Sequence, residues 1–173
     1  SCFSHIARCV SEGKQNGEGD FIMAWKALEA AHRNGQIRHL GVSNFGLGDL
    51  QRLSVTSIIK PTLMQDWSDP YHQAATKRKY CGARGLEFTA YSSLGTQHGA
   101  KNPVFSSPEL QGIADAHNSS VALVVLSWQL QQDMGVIPRS TNKQHIEELA
   151  TLLTRPLELS PQELQTIRNL DTE

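Results

Sequence analysis

Four stretches of this chain end an apolar run in side chains that hydrogen-bond or carry charge. Residues 37–45 read Ile-Arg-His-Leu-Gly-Val-Ser-Asn-Phe and close on Ser43 and Asn44. Met64-Gln65-Asp66 closes a second run, Ala90-Tyr91-Ser92-Ser93-Leu94-Gly95 a third, and Val136-Ile137-Pro138-Arg139-Ser140 a fourth. Hydroxyl and carboxamide groups offer donors and acceptors together, and a guanidinium can grip a phosphate through two nitrogens. If the four runs are parallel strands, their ends reach one rim, where the loops of such folds build their sites. Each group also has a plain structural role open to it. Ser43 and Asn44 can end a strand and cap a helix, Gln65 can be satisfied by buried backbone, Tyr91 can be core, and Arg139 can face solvent beside a helix-capping Ser140.

The segments between these runs must position them, and their periodicity is helical. Residues 11–20 are polar and Gly-containing, which reads as a loop, with Asp20 as a helix N-cap. Phe21, Ala24, Trp25, Leu28 and Ala31 recur at helical spacing, so a helix is predicted over 21–34, stopped by Gly35. A strand over 37–42, a helix over 48–57, a strand over 61–65, a helix over 71–83 and a strand over 86–91 follow. Residues 96–107 form a polar loop, longer than an ordinary strand-to-helix connection and open to reading as a functional flap or an idle insertion. Ser107-Pro108-Glu109 opens a helix, Ser120 starts another running through Trp128 and Leu130, and 134–138 is the last strand. Helices over 143–153 and 160–170 end the chain, the latter beginning with the capping-box pattern Ser160-Pro161-Gln162-Glu163. Parallel strands joined in this way use right-handed crossovers. Half a barrel and an open doubly wound sheet share this alternation, and periodicity does not choose between them.

Size and composition bound the rest. The 173 residues could form one domain with a substantial core, whereas a full eight-stranded barrel typically takes about 250 residues, or roughly 200 at minimum. The net charge of -1 with mixed signs gives no basic face for nucleic acid. No apolar run approaches the roughly 20 residues of a membrane span, and the first residues lack the pattern of a secretory signal. The partners expected are small molecules or proteins, in the cytoplasm. Three cysteines, Cys2, Cys9 and Cys81, show no paired spacing, so neither a disulfide framework nor a zinc site is expected, and Cys81 reads as a buried or semi-buried thiol.

These motifs, with Ala24-Trp25-Lys26-Ala27-Leu28-Glu29 before them, resemble the C-terminal half of an aldo-keto reductase. The resemblance covers nearly the whole chain and implies a partial, half TIM (β/α)8 barrel of parallel strands alternating with helices. It implies one truncated domain over 1–173, with the N-terminal half of the barrel absent. In that family the Ser and Asn matched by Ser43 and Asn44 bond the carboxamide of nicotinamide, as does the glutamine matched by Gln65. Tyr91 matches a tyrosine whose ring lies against the nicotinamide face, and Ser92 and Leu94 would face the pyrophosphate. The family run Ile-Pro-Lys-Ser, here Ile137-Pro138-Arg139-Ser140, meets the 2'-phosphate of NADP.

The resemblance therefore implies NADP(H)-linked reduction of a small-molecule carbonyl. Of the family's catalytic Asp, Tyr, Lys and His, only the His has a candidate, His5 in Ser4-His5-Ile6. The chain alone is accordingly expected not to turn over aldehydes. The departures are specific. His145 and Leu149 stand where an arginine and an asparagine usually hold adenine, and Asp66-Trp67-Ser68-Asp69-Pro70 departs from the family run, with Trp67 a pocket wall or core filler and Asp69 a helix cap. The alternative function is a non-catalytic interaction or regulatory half barrel that self-associates, a homo-oligomer formed through exposed barrel edges.

Overall fold

In the computed structural model, which describes residues 20–172, the first helix, α1 (Asp20–Arg33), ends as its sequence directs. Gly35 takes φ +73° and Gln36 N donates to Ala31 O at 3.0 Å, closing the last turn with the left-handed residue that only glycine adopts cheaply. The chain divides into two compact units. One holds the described residues up to Gly41 together with Phe45–Thr62, and the other holds Val42–Asn44 and the chain from Leu63 onward.

In the first unit α1 is secured by two side chains one turn apart. Trp25, 4% exposed, donates its indole N–H to Ile59 O (3.0 Å), and the buried Glu29 carboxylate accepts from the backbone N–H groups of Ile58 (2.7 Å) and Ile59 (2.9 Å). Burial pushes the Glu29 carboxyl up, but those two N–H groups and Arg33 outweigh it and hold the carboxyl below its ordinary range. Phe21 meets Phe45 edge to face, and α2 (Leu47–Thr56) buries Leu50 and Leu53. Each of those leucines gains roughly 1.5–3 kcal/mol on burial.

The second unit holds, apart from Gly41, a parallel sheet of β1 (Gly41–Ser43), β2 (Leu63–Trp67), β3 (Glu87–Tyr91) and β4 (Met134–Val136), in that order. Gln65 pairs with Thr89 and Thr89 with Gly135, so alternate residues share a face. Met64, Asp66, Phe88, Ala90 and Met134 are buried on one face. Leu63, Gln65, Trp67, Thr89 and Tyr91 are half-buried on the other. The helices are α3 (Ala75–Gly82), α4 (Pro108–Ala116), α5 (Val121–Gln131), α6 (Lys143–Ala150) and α7 (Pro161–Arg168). α5 is buried almost all round, from Val124 to Gln129, as its uniformly apolar sequence requires. Ser107, Ser120 and Ser160 cap α4, α5 and α7 with their hydroxyls, and Glu163 completes the capping box.

Four boundaries differ from the sequence reading. β1 spans Gly41–Ser43 rather than 37–42: Leu40 O is taken by Thr62 N (2.8 Å), and β2 begins only at Leu63, so earlier residues have no strand to pair with. β2 runs on to Trp67 because Trp67 pairs with Tyr91. The helix expected over 71–83 starts at Ala75, since His72 bridges back to Asp69 and Ala74 is left-handed at φ +49°. β4 stops at Val136, the last residue with a β3 partner, before the half-exposed Ile137 and before Pro138, which lacks an N–H. The loop over 96–107 contains two short 3-10 helices, Thr96–Lys101 and Val104–Ser106. Among the described residues no helix is long and apolar enough to cross a membrane.

Candidate functional site

The rim at the exits of β1, β2 and β3 is tied together by Asn44. This residue takes φ +59°, donates its backbone N–H to Gln65 O (3.0 Å) and accepts the Tyr91 hydroxyl on Oδ1 at 2.7 Å, while its Nδ2 donates to Ser43 Oγ at 3.3 Å. One residue thus joins Ser43 and Tyr91 through its side chain and Gln65 through its backbone N–H. Burial, with a smaller contribution from Asp66, pushes the Tyr91 phenol above its ordinary pKa, which keeps its proton on and its donation to Asn44 intact. Ser43 and Asn44 are exposed and Gln65 is half-buried. The Gln65 carboxamide, with a donor and an acceptor end, has no hydrogen-bond partner among the described residues.

Beyond Tyr91 the chain turns sharply. Ser92 is left-handed at φ +53°, Gly95 N donates to Ser92 O (2.9 Å), and Gly95 takes φ +76°. Non-glycine residues with positive φ, such as Asn44 and Ser92, are uncommon and collect at functional sites. Ser92 Oγ accepts from Gln97 Nε2 (3.1 Å), and Leu94 O accepts from Asn102 Nδ2 (2.8 Å). Arg139 and Ser140 follow β4 at the same strand-exit end. Arg139 is exposed, and Ser140 Oγ accepts from Asn142 N at 3.1 Å within its own turn. Asn142 in turn caps α6 through Gln144 N and His145 N.

Ser43, Asn44, Gln65 and Tyr91 are therefore brought into one bonded set. Ser92 and Leu94 belong to the adjoining loop, and Arg139 and Ser140 form a separate turn. His5, read as the catalytic histidine, lies outside the described residues, as do Cys2 and Cys9. Cys81 is fully buried, as its sequence suggested, and burial followed by Asp66 pushes its thiol up. A cleft of about 630 Å³ opens away from this rim, at the entry ends of β3 and β4 between Arg78, Leu86, Phe88 and Met134.

Sequence reasoning missed a second cluster at the exit of β2. Asp69 is not the cap of α3. Its fully buried carboxylate accepts from the Trp67 indole N–H (2.8 Å) and Tyr71 N (2.8 Å) and meets His98 Nε2 at 3.0 Å. Trp67 stacks on His72 with ring centres 3.9 Å apart, and His98 approaches Trp67 edge-on. Trp67 is half-buried, its ring fixed by the Asp69 carboxylate and the His72 stack. The one local signal was the Asp-Pro pair, and it also fits a turn.

The family model for the aldo/keto reductase family matches residues 5–172. An NADPH-dependent D-xylose reductase of Meyerozyma guilliermondii is 32% identical over 174 residues, covering 91% of this chain and 54% of that protein. A 9,11-endoperoxide prostaglandin H2 reductase of Trypanosoma cruzi is 36% identical over 132 residues, covering 76% and 46%. Among solved structures, an aldo/keto reductase from Brucella melitensis superimposes with a TM-score of 0.79 at 29% identity, covering 90% of this chain and 58% of that one. A Bombyx mori aldo-keto reductase in complex with NADP gives 0.79 at 29%, covering 88% and 50%. The chain spans about half the length of the curated relatives it matches.

Proposed function

The chain belongs to the aldo/keto reductase family, with the sheet of a partial barrel, and from that premise we propose that its strand-exit rim holds NADP(H) for the reduction of a small-molecule carbonyl. The observation that carries this is the Asn44 bridge, which gathers Ser43, Gln65 and Tyr91 and leaves the Gln65 carboxamide without a hydrogen-bond partner among the described residues. Ser43, Asn44 and Gln65 bind the nicotinamide carboxamide through complementary donors and acceptors. Tyr91, its hydroxyl fixed by Asn44, presents its ring to one face of the nicotinamide and so decides which face is offered. Ser92 and Leu94 lie in the turn that would meet the pyrophosphate, and Arg139 with Ser140 would grip the 2'-phosphate. The nucleotide would supply the hydride. The NADPH dependence in the name of the yeast relative and the NADP in the Bombyx structure support this choice of cofactor.

Among the described residues, the family's proton-donating Tyr and its Asp and Lys partners have no counterpart at this rim. Tyr71 is tied into the β2 exit turn, and Lys60 donates to the backbone of Ser54 in the first unit. The reading therefore assigns nucleotide binding to this chain, as one domain over 1–173, and not turnover by the chain alone. A reducing compartment such as the cytoplasm suits the free Cys81 thiol.

Calorimetric titration with NADPH and with NADH tests the assignment. Arg139→Gln is expected to weaken NADPH roughly tenfold while leaving NADH unchanged, the loss expected for one charge-assisted phosphate contact. Wild-type protein that binds neither nucleotide, or an equal loss for both in the variant, would overturn it.

A further inference from the structure

The cleft of about 630 Å³ lies at the opposite end of the sheet from the Asn44 rim, where β3 and β4 begin. One wall is a single stripe of α3, because Ala75, Arg78, Lys79 and Gly82 fall at spacings that share a helix face. The turn from α5 into β4 forms the other wall. Leu86, Phe88 and Met134 make an apolar floor, with Phe88 and Met134 buried. A Cβ built at Gly82 would meet nothing within 4 Å, so the end of the stripe is open. Arg78 is half-buried in this wall. A guanidinium offers a fork of N–H donors, yet among the described residues the one hydrogen bond this one makes runs from Nη2 to Gln132 O, at 3.3 Å. Burial pulls its pKa below the ordinary arginine range, with Arg168 adding to the effect and Asp171 and Asp133 opposing it by less.

We propose that this cleft binds a small organic monocarboxylate with an apolar body, its carboxylate on Arg78 and its hydrocarbon on Leu86, Phe88 and Met134. Three features carry this. A carboxylate supplies the acceptors that the guanidinium lacks, and its two oxygens match the planar fork of donors. The floor gives the hydrocarbon a surface to cover, and the volume of about 630 Å³ falls within the roughly 300–1,000 Å³ of small-molecule sites. Glu87 and Asp133 line the cleft and are exposed, so they stand at its mouth and repel a second negative charge on the ligand. That repulsion sets a monocarboxylate apart from a phosphate. Lys79, exposed on the α3 wall, is a solvated cation that favours the approach of an anion. The site shares no residue with the strand-exit rim and does not depend on nucleotide binding there.

Titration of the isotope-labelled chain with phenylacetate, followed by amide NMR shifts, tests the site without nucleotide. Saturable shifts are expected over residues 78–88 and 132–134 and not at Ser43, Asn44 or Gln65. Phenylacetamide keeps the shape and loses the charge, and inorganic phosphate keeps charge and lacks the hydrocarbon. Each is expected to bind roughly tenfold more weakly than phenylacetate, and Arg78→Gln is expected to weaken phenylacetate by a similar factor. Gly82→Leu puts a side chain into the open space one turn from Arg78, at a residue whose φ is not left-handed, and is expected to abolish binding while the chain stays folded. This second variant keeps the test valid if the substitution of Arg78 fails to fold. Wild-type chain that shows no saturable shifts, or undiminished binding in both variants, overturns the site. Phenylacetamide or phosphate bound as tightly as phenylacetate overturns the assignment of an apolar monocarboxylate.

Discussion

Glu29 is a carboxylate whose burial and hydrogen bonding pull in opposite directions. Burial raises its pKa, and the N–H groups of Ile59 and Ile58 with Arg33 lower it by more, so the folded value lies below the ordinary value of 4.5. A group depressed on folding adds stability above its unfolded pKa and loses that contribution as pH falls through the folded value. Glu29→Gln keeps the shape and removes the charge, at an expected cost of about 2 kcal/mol near neutrality. That cost should shrink below pH 4.5. Urea denaturation of the two proteins at neutral and acid pH checks this, and acid limbs that run parallel would contradict it. Neither this pair of contacts nor the Asn44 bridge could be read from residue order. Ile58 lies 29 residues from Glu29, and Tyr91 lies 47 from Asn44. The types of Ser43, Asn44, Gln65 and Tyr91 at strand ends were legible because strand direction alone carries them to one rim. Asp69 was misread because its partner His98 is remote and its own neighbours suggested a local cap.

At the scale of elements, the loop after β3 depends on Gly95. Its φ of +76° disfavours any side chain, and a methyl group there would overlap the Asn102 side chain and stand 2.7 Å from Val104 Cγ2. Asn102 holds both Leu94 O and Val104 N, so displacing it unties the loop from within. Gly95→Ala is expected to cost on the order of 3 kcal/mol, conformational strain plus overlap, against about 1 kcal/mol for strain alone at Gly85. Gly85 has a similar φ of +68° but open space around it. Thermal melts of the two alanine variants check the difference, and equal shifts would show that overlap at Gly95 is relieved without cost. Helix starts were the most legible elements. Ser107, Ser120 and the Ser160–Glu163 box act within three residues of themselves, so residue order contains the whole interaction. Strand ends were less legible because a strand stops where its neighbour stops. β1 waits for β2 to begin, and β4 ends with the last residue that β3 can pair.

For the whole molecule, the sheet order leaves β1 and β4 with one strand neighbour each among the described residues. Parallel strands are ordinarily covered on both faces, yet Gln65, Trp67, Thr89 and Tyr91 are only half-buried on theirs. We propose that these edges and this face drive self-association of the chain. Light scattering is expected to give about twice the 19.1 kDa of one chain; a stable particle of single-chain mass would exclude it.

Cys81 offers a way to follow such a molecule without any ligand. Its thiol is fully buried, and burial together with Asp66 keeps it protonated, so a water-soluble disulfide reagent meets neither the sulfur nor its reactive anion in the folded chain. With Cys2 and Cys9 replaced by serine, Cys81 becomes the sole tracer, and its labelling rate becomes a clock for excursions that expose the interior. Labelling is expected to speed up steeply with urea, and a rate insensitive to denaturant would place the sulfur within reach of the reagent in the native state.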